Sequence, residues 1–301
     1  MALYRDLVER TWDSGTRQWT FSDTSLYALG VGAGGDDPAR ELEFTTENSG
    51  GAVPSVLPTF AATLVSRRAE PTLGDFDVSQ LLHTQQSLTL YGPLPVEGTA
   101  ATTSRLAALR DRGSSALAVI ESSCVDPATG RPLADIRTGL TIRREGGFGG
   151  EPGDDEPWER PEGEPDHTVD YRTAPNQALL YRLSGDPNPL HSDPAIAARL
   201  GFRRPLLHGL CTFGFAGRAL LHTLCGGDPA RFGTMSAHFT APVFPGQELT
   251  VRIWERGESA LFQVRVQGRV VLDRGTFVRR GTGTDTDTGT GTGSGSGSAG
   301  G

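Results

Sequence analysis

The sequence predicts an α+β protein built from two similar halves, each with one main helix and several antiparallel strands. The halves are indicated by short segments that recur in the same order. "YALGVG" begins at Tyr27 and "YRLSGD" begins at Tyr181, an offset of 154 residues. "PSVLPTF" ends at Phe60 and "LHGLCTF" ends at Phe213, an offset of 153 residues. Two matches at nearly one offset indicate an internal duplication.

The second half has the clearer pattern of elements. Segment 206–224, "LLHGLCTFGFAGRALLHTL", is apolar on nearly all sides and predicts a buried helix. Its glycines weaken helix propensity, so we expect Gly209, Gly214 and Gly217 to permit close packing against a sheet. Alternating or clustered apolar residues then predict four strands, at 235–244, 247–256, 260–268 and 269–280. A helix wrapped by such a sheet is the hot-dog plan, and two halves predict a double hot-dog.

Shifts in composition divide the chain into four parts. Residues 145–166 are rich in Pro, Gly and acidic residues and predict a linker. Residues 281–301 are almost entirely Gly, Thr and Ser and predict a disordered tail. The two predicted hot-dog domains are therefore 1–144 and 167–280.

Composition excludes several classes of protein. The net charge is −8 and no Lys/Arg-rich run occurs, which argues against a nucleic-acid partner. No apolar run reaches the ~18 residues of a membrane span, and the N-terminus lacks a secretory signal. Six histidines without clustered ligands predict no metal site. The spacing of Cys124, Cys211 and Cys225 is not typical of a metal site, and three cysteines cannot all form disulfides with one another. We therefore expect reduced thiols and a cytoplasmic location.

One loop holds an unusual set of polar residues. Residues 181–191, "YRLSGDPNPLH", carry Asp186, Asn188 and His191 just before the helical pattern "SDPAIAARLGF". Such residues often serve turn chemistry alone, as Asx-turns and helix caps. The two intervening prolines would also stiffen the loop, so that Asp186 and His191 could point at the same place. Turn formation and a chemical role are both open from the residues themselves.

The chain resembles a known family along most of residues 1–280. The string "LSGDPNPLHSDPAIAARLGFRRPLLHG" (183–209) closely resembles the signature of hydratase 2, the R-specific enoyl-CoA hydratases of the MaoC-like group. "HFTAPVFPGQEL" (238–249) is similar to the strand and turn that follow in that family. The first half resembles the degenerate half of two-domain members, although "HTQQ" at 83–86 departs from their frequent HGEQ.

The resemblance implies reversible hydration of trans-2-enoyl-CoA to (3R)-3-hydroxyacyl-CoA, with no cofactor because coenzyme A is part of the substrate. It implies that Asp186 and His191 bind the catalytic water and share the acid–base work. Asn188 would orient that water or Asp186. The backbone N–H of Gly209, near the start of the long helix, would donate to the thioester oxygen.

Further residues are candidates for binding substrate. Arg203 and Arg204 could meet the phosphates of coenzyme A, although solvated surface arginines are the simpler interpretation. His238 and Phe239 could line the pocket or serve strand packing alone. His208 is expected to be a structural histidine at the helix start, outside the catalytic set.

The first half is predicted to lack chemistry and to accommodate the acyl chain. Gly32 stands where the second half has Asp186, and no histidine follows it. Pro54 and Pro58 should shorten the equivalent helix, which would leave room for a longer acyl chain.

The sequence leaves two alternative functions open and disfavours a third. The substrate could be carried by acyl-carrier protein instead of coenzyme A, which gives a (3R)-hydroxyacyl-ACP dehydratase. The chain could also be a non-catalytic subunit that binds acyl thioesters. A hot-dog thioesterase is disfavoured because segment 206–224 contains no Asp or Glu. A homodimer of chains is plausible.

Overall fold

The computed structural model describes residues 3–65, 71–153 and 158–281, and its strands form one ten-stranded antiparallel sheet. The first half contributes β1 Thr11–Trp19, β2 Leu81–Leu90, β3 Gly98–Asp111, β4 Ser115–Val125 and β5 Pro132–Arg143. The second half contributes β6 His167–Arg172, β7 Phe232–Phe239, β8 Glu248–Arg256, β9 Ser259–Val266 and β10 Arg269–Arg279. The helices are α1 Phe21–Gly30, α2 Leu42–Thr45, α3 Gln177–Tyr181, α4 Pro194–Arg199 and α5 Gly209–Cys225.

The order of the strands confirms the duplication. The sheet runs β1-β3-β4-β5-β2-β7-β10-β9-β8-β6, so each half repeats the same order when it is read inward from its own edge. The halves join where β2 pairs antiparallel with β7, for example at Gln85 opposite His238. Each half thus curves its strands over helical segments, and the fold is the predicted double hot-dog.

Helix α5 is the buried central helix of the second half, and Phe213 and Leu220 on it are fully buried. Its glycines permit close approaches, as expected, but only in part to the sheet. A Cβ at Gly209 would lie 3.0 Å from the ring of Phe239 on β7. At Gly214 and Gly217 the crowding atoms belong to Val31 and Thr59 of the other half, so that part of the prediction is wrong.

The corresponding helix of the first half is a single 3₁₀ segment, Pro58–Thr63. Pro58 occupies its first turn. A backbone N–H there would have no acceptor within the helix, so proline, which lacks the N–H, loses no hydrogen bond. This confirms that the first half has the shorter helix. One hydrophobic core nevertheless runs through both halves, and the duplicated tyrosines Tyr27 and Tyr181 face each other with ring centroids 6.0 Å apart.

Several boundaries differ from the sequence prediction. Helix α5 begins at Gly209 instead of 206, and β7 ends at Phe239 instead of 244. Pro242 and Pro245 follow β7 and cannot donate to a sheet ladder, which explains the early end. The described parts of the predicted linker, 145–153 and 158–166, contain no helix or strand.

The predicted tail lies outside the described residues from 282 onward. Among the helices of the described ranges, none is both long enough and apolar enough to cross a membrane.

Candidate active site

The polar loop begins where helical structure ends. Residues 182–184 form a 3₁₀ turn after α3, and Gly185 follows with φ of +126°, a value that side chains disfavour. The Asp186 carboxylate then accepts the backbone N–H of Asn188 at 3.2 Å. The Asn188 side chain accepts the N–H of Leu190 at 3.0 Å and caps the 3₁₀ turn Pro189–His191. Turn chemistry is therefore real here, and the backbone N–H of Asn188 donates to the Asp186 carboxylate as part of it.

The ring of His191 is held in one tautomer. Its Nδ1 lies 3.0 Å from the carbonyl oxygen of Leu206, and a carbonyl can only accept, so Nδ1 carries the proton. Its Nε2 is then left with a lone pair. Burial lowers the pKa of His191, although the Leu206 carbonyl and the charge of Asp186 act to raise it. A neutral imidazole with an available Nε2 is the form that can accept a proton from water.

A second histidine completes the cluster. The rings of His191 and His208 stack with centroids 3.7 Å apart and planes inclined by 25°. His208 Nε2 donates to the backbone carbonyl of Asp186 at 3.1 Å. One carboxylate oxygen of Asp186 and one ring nitrogen each of His191 and His208 all lie within 4.8 Å of one another.

His208 stands at the helix start, as expected, and its ring in addition supports His191 and the backbone of Asp186. It occupies the N-cap position of α5, yet its side chain makes no capping hydrogen bond. Burial, with the neighbouring His191, lowers the pKa of His208 to about 3, so the ring stays neutral. A signal was present in the sequence, because a histidine stands at a helix start where Ser, Thr, Asp or Asn is usual.

The N-terminus of α5 adjoins the same cluster. Gly209 is the first residue of the helix, so its N–H belongs to the first turn, which has no intrahelical acceptor. The ring of Phe239 packs against the Gly209 Cα, and His83 of β2 meets that ring edge-on at 4.8 Å. Phe239 therefore lies at the predicted oxyanion position.

The two remaining pocket candidates lie on opposite faces of β7. Successive side chains of a strand alternate between faces, and Phe239 shares the inner face with the buried Ala237. His238 therefore lies on the other face, away from α5.

Arg203 and Arg204 line a separate cavity of about 650 Å³. The other lining residues are Phe244, Gln247, Val266, Gln267 and Arg269. Arg204 lies over the ring of Phe244, 5.1 Å from its centroid. Both arginines lie in the segment that leads to Leu206, the acceptor of His191, so this cationic cavity and the histidine cluster share one stretch of chain.

The first half cannot repeat this arrangement. Gly32, at the position of Asp186, has a φ of +81°, and a Cβ there would lie 2.3 Å from the ring of Phe215. Any side chain would collide with that ring. Packing thereby explains why Gly32 stands at the position that Asp186 occupies in the second half.

These features define a class: a double hot-dog that gathers a carboxylate and two neutral imidazoles beside a helix N-terminus, suited to acid–base chemistry on a polarised carbonyl compound. Comparison with known proteins agrees. Residues 157–275 match the MaoC like domain, and residues 18–144 match the MFE-2 hydratase 2 N-terminal domain. The chain therefore belongs to the MaoC-like dehydratase family, in the group that carries the hydratase 2 N-terminal domain.

Individual relatives support this assignment. The chain is 45% identical over 271 residues to 3-hydroxyacyl-thioester dehydratase Y of Mycobacterium tuberculosis (strain ATCC 25618 / H37Rv), covering 86% of this chain and 92% of that protein. It is 40% identical over 266 residues to the peroxisomal enoyl-CoA hydratase 2 of Arabidopsis thaliana, covering 82% and 85%. A MaoC-like dehydratase from Phytophthora capsici is 31% identical with a TM-score of 0.82, covering 93% of this chain and 98% of that one.

Proposed function

We propose that this protein is a hydro-lyase that interconverts trans-2-enoyl-CoA and (3R)-3-hydroxyacyl-CoA. The observation that carries the proposal is the grouping of Asp186, His191 and His208 within 4.8 Å beside the first turn of α5. Relatives named as a 3-hydroxyacyl-thioester dehydratase and an enoyl-CoA hydratase 2 support the same chemistry.

In the hydration direction, Asp186 and His191 hold one water molecule between them. The water oxygen bonds to C3 of the enoyl thioester as a proton leaves the water for this pair. Electron density moves to the thioester oxygen, which accepts from the N–H of Gly209. The pair then returns one proton to C2, so the elements of a single water are added across the double bond. Dehydration is the reverse.

His208 acts on this pair through position. Its hydrogen bond fixes the backbone of Asp186, and its ring lies flat against His191. The proposed acid–base steps need only these side chains and the N–H of Gly209. We therefore propose that the reaction uses no metal and no cofactor beyond the coenzyme A of the substrate.

The cationic cavity is the proposed site for the phosphates of coenzyme A. Arginine suits phosphate through its several donors, and Arg203, Arg204 and Arg269 line the cavity together. The equivalent cavity of the first half, about 690 Å³, lies between the β2–β3 loop and the β4–β5 turn. Its charged lining residues are Glu97, Asp126 and Arg131. This contrast supports one nucleotide site per chain.

The short 3₁₀ segment Pro58–Thr63 supports the accommodation of a long or bulky acyl chain in the first half. The carrier of the acyl group, the cellular compartment and the oligomeric state remain predictions. Coenzyme A is the proposed carrier, with acyl-carrier protein as the alternative. A cytoplasmic location and a homodimer are predicted from the sequence, while the Arabidopsis relative is named as peroxisomal.

The test is turnover of purified protein with crotonyl-CoA and with long-chain trans-2-enoyl-CoA, followed by loss of enoyl absorbance. Product configuration is assigned with R- and S-specific dehydrogenases. We expect the R product, and Asp186→Ala or His191→Ala should abolish its formation while the fold persists. An S product, or turnover that survives Asp186→Ala, would contradict the proposal. Turnover of acyl-carrier-protein thioesters alone would support the alternative carrier.

A further inference from the structure

An arginine of the first half reaches the catalytic loop of the second half. Arg17 lies on β1, and its Nη2 donates to the backbone carbonyl of Ser184 at 3.2 Å. Ser184 is buried and stands two residues before Asp186. The loop passes so close to the guanidinium that a Cβ at Gly185 would lie 3.3 Å from Arg17 Nη1.

The same guanidinium is bound to the helical segment of its own half. Arg17 Nη1 donates to the carbonyl of Thr63, at the end of the 3₁₀ segment that replaces a long helix. The guanidinium also lies over the ring of Phe60, 5.5 Å from its centroid. Burial lowers the pKa of Arg17, although the charge of Asp23 acts to raise it. Two carbonyls and one ring therefore hold this side chain from three sides.

The second half contains a reciprocal contact. Arg218 of α5 donates to the carbonyl of Val31 at 2.8 Å. Val31 precedes Gly32, the counterpart of Asp186, so it belongs to the degenerate loop of the first half. Each half thus sends one arginine to the loop of the other half. Because Gly32 replaces the acid, only the Arg17 contact acts on a loop that carries chemistry.

We infer that Arg17 is a positioning residue for the catalytic loop. By holding the Ser184 carbonyl, it fixes the start of the turn that presents Asp186 to His191 and lets the Asp186 carbonyl accept from His208. The inference rests on the proposed hydratase function. Arginine is needed because its planar fork donates to two carbonyls at once, whereas lysine is a single point charge.

Removal of this contact should affect turnover more than substrate affinity. A small misplacement of catalytic groups can lower a rate by about 100-fold. We expect Arg17→Met to reduce kcat by about that factor, with KM within about threefold of wild type. Arg17→Lys can keep one of the two hydrogen bonds and should recover part of kcat.

The matched control is Arg280→Met. Arg280 also joins the halves, because its Nη2 donates to the carbonyl of Leu90 at 3.3 Å, and its backbone N–H donates to Arg231, outside the catalytic loop. Kinetics of the three variants are measured together with hydrogen exchange of peptides that cover residues 184–191. We expect faster exchange in Arg17→Met than in Arg280→Met, and unchanged kcat in Arg280→Met.

The outcomes separate the two claims. Wild-type protein without turnover of any thioester would refute the proposed function, while hydrogen exchange still reports whether Arg17 orders the loop. Equal losses of kcat in Arg17→Met and Arg280→Met would indicate general loosening of the halves and overturn the inference. Unchanged kcat in Arg17→Met would overturn it as well. If Arg17→Met does not fold, Arg17→Lys decides by the same comparison.

Discussion

The rings of His191 and His208 lie face to face, with 3.7 Å between their centroids, although the two residues stand 17 positions apart in the sequence. His208 also donates to the backbone of Asp186, so one buried ring contacts both members of the proposed catalytic pair. This arrangement makes His208 the support on which the geometry of the pair depends.

We therefore expect His208→Phe, which can keep an aromatic ring but loses the hydrogen bond to Asp186, to lower kcat by about 10–100-fold. KM should change little, because His208 is buried behind the pair. Steady-state kinetics on crotonyl-CoA measure both values. His167→Asn is the control, since His167 lies on the edge strand β6 and pairs with Glu255 of the neighbouring strand β8. Wild-type kcat in His208→Phe would contradict a role for the hydrogen bond.

A side chain at Gly209 should crowd the ring of Phe239. A Cβ there would approach the Phe239 ring to 3.0 Å, and such overpacking costs about 1–3 kcal/mol. Gly209→Ala should therefore lower both the melting temperature and kcat. Phe239→Leu offers a suppressor, because it removes the ring and leaves the N–H of residue 209 in place. Gly209→Ala that loses no stability, or a double variant no better than the single one, would argue against this contact.

The two buried histidines should make stability depend on pH. Folding lowers the pKa of both rings below the value of about 6.5 in unfolded chains. Below pH 6.5 the unfolded state therefore binds more protons, so the free energy of unfolding falls as pH falls toward 5. His208→Gln should make this slope shallower by up to about 1.4 kcal/mol per pH unit. Urea unfolding between pH 5 and 7.5 measures this slope, and His167→Gln is the control. Equal slopes in His208→Gln and in the wild type would contradict the lowered pKa of His208.

A buried ion pair should hold the halves together. Arg218 donates from Nε to Glu41 at 3.0 Å, and His222 meets the same carboxylate at 2.7 Å. Burial acts to raise the pKa of Glu41, but hydrogen bonds from His222 and Arg218 outweigh it and lower the pKa to about 2. Arg218→Met would leave that charge buried without the guanidinium.

The expected loss for Arg218→Met is about 3–5 kcal/mol of unfolding free energy. The double variant Glu41→Gln/Arg218→Met should lose less than Arg218→Met alone, because no unpaired charge remains. Denaturant titration of both single variants and the double variant completes a mutant cycle. Additive losses would mean that the pair does not couple.

Much of the fold followed from local patterns. The repeated Tyr27 and Tyr181 segments indicated the duplication, and apolar alternation located β8, β9 and β10 within about two residues. Errors arose where a pattern was ambiguous, as at β7, where an apolar run continued past the last sheet hydrogen bond. The prediction that Gly214 and Gly217 pack against the sheet was wrong. A glycine in a sequence indicates that another part of the chain approaches closely, but it does not indicate which part.

The sequence by itself determined where the polar loop lies and which polar residues it brings close together. Asp186 and His191 stand five positions apart on a chain stiffened by prolines, so their proximity is a local property. Only the tertiary structure decided which distant residues support them. His208 and Arg17 reach the loop because α5 begins beside it and because β2 pairs with β7 to unite both halves around one core. Such contacts depend on how elements pack, and no spacing within one segment encodes them.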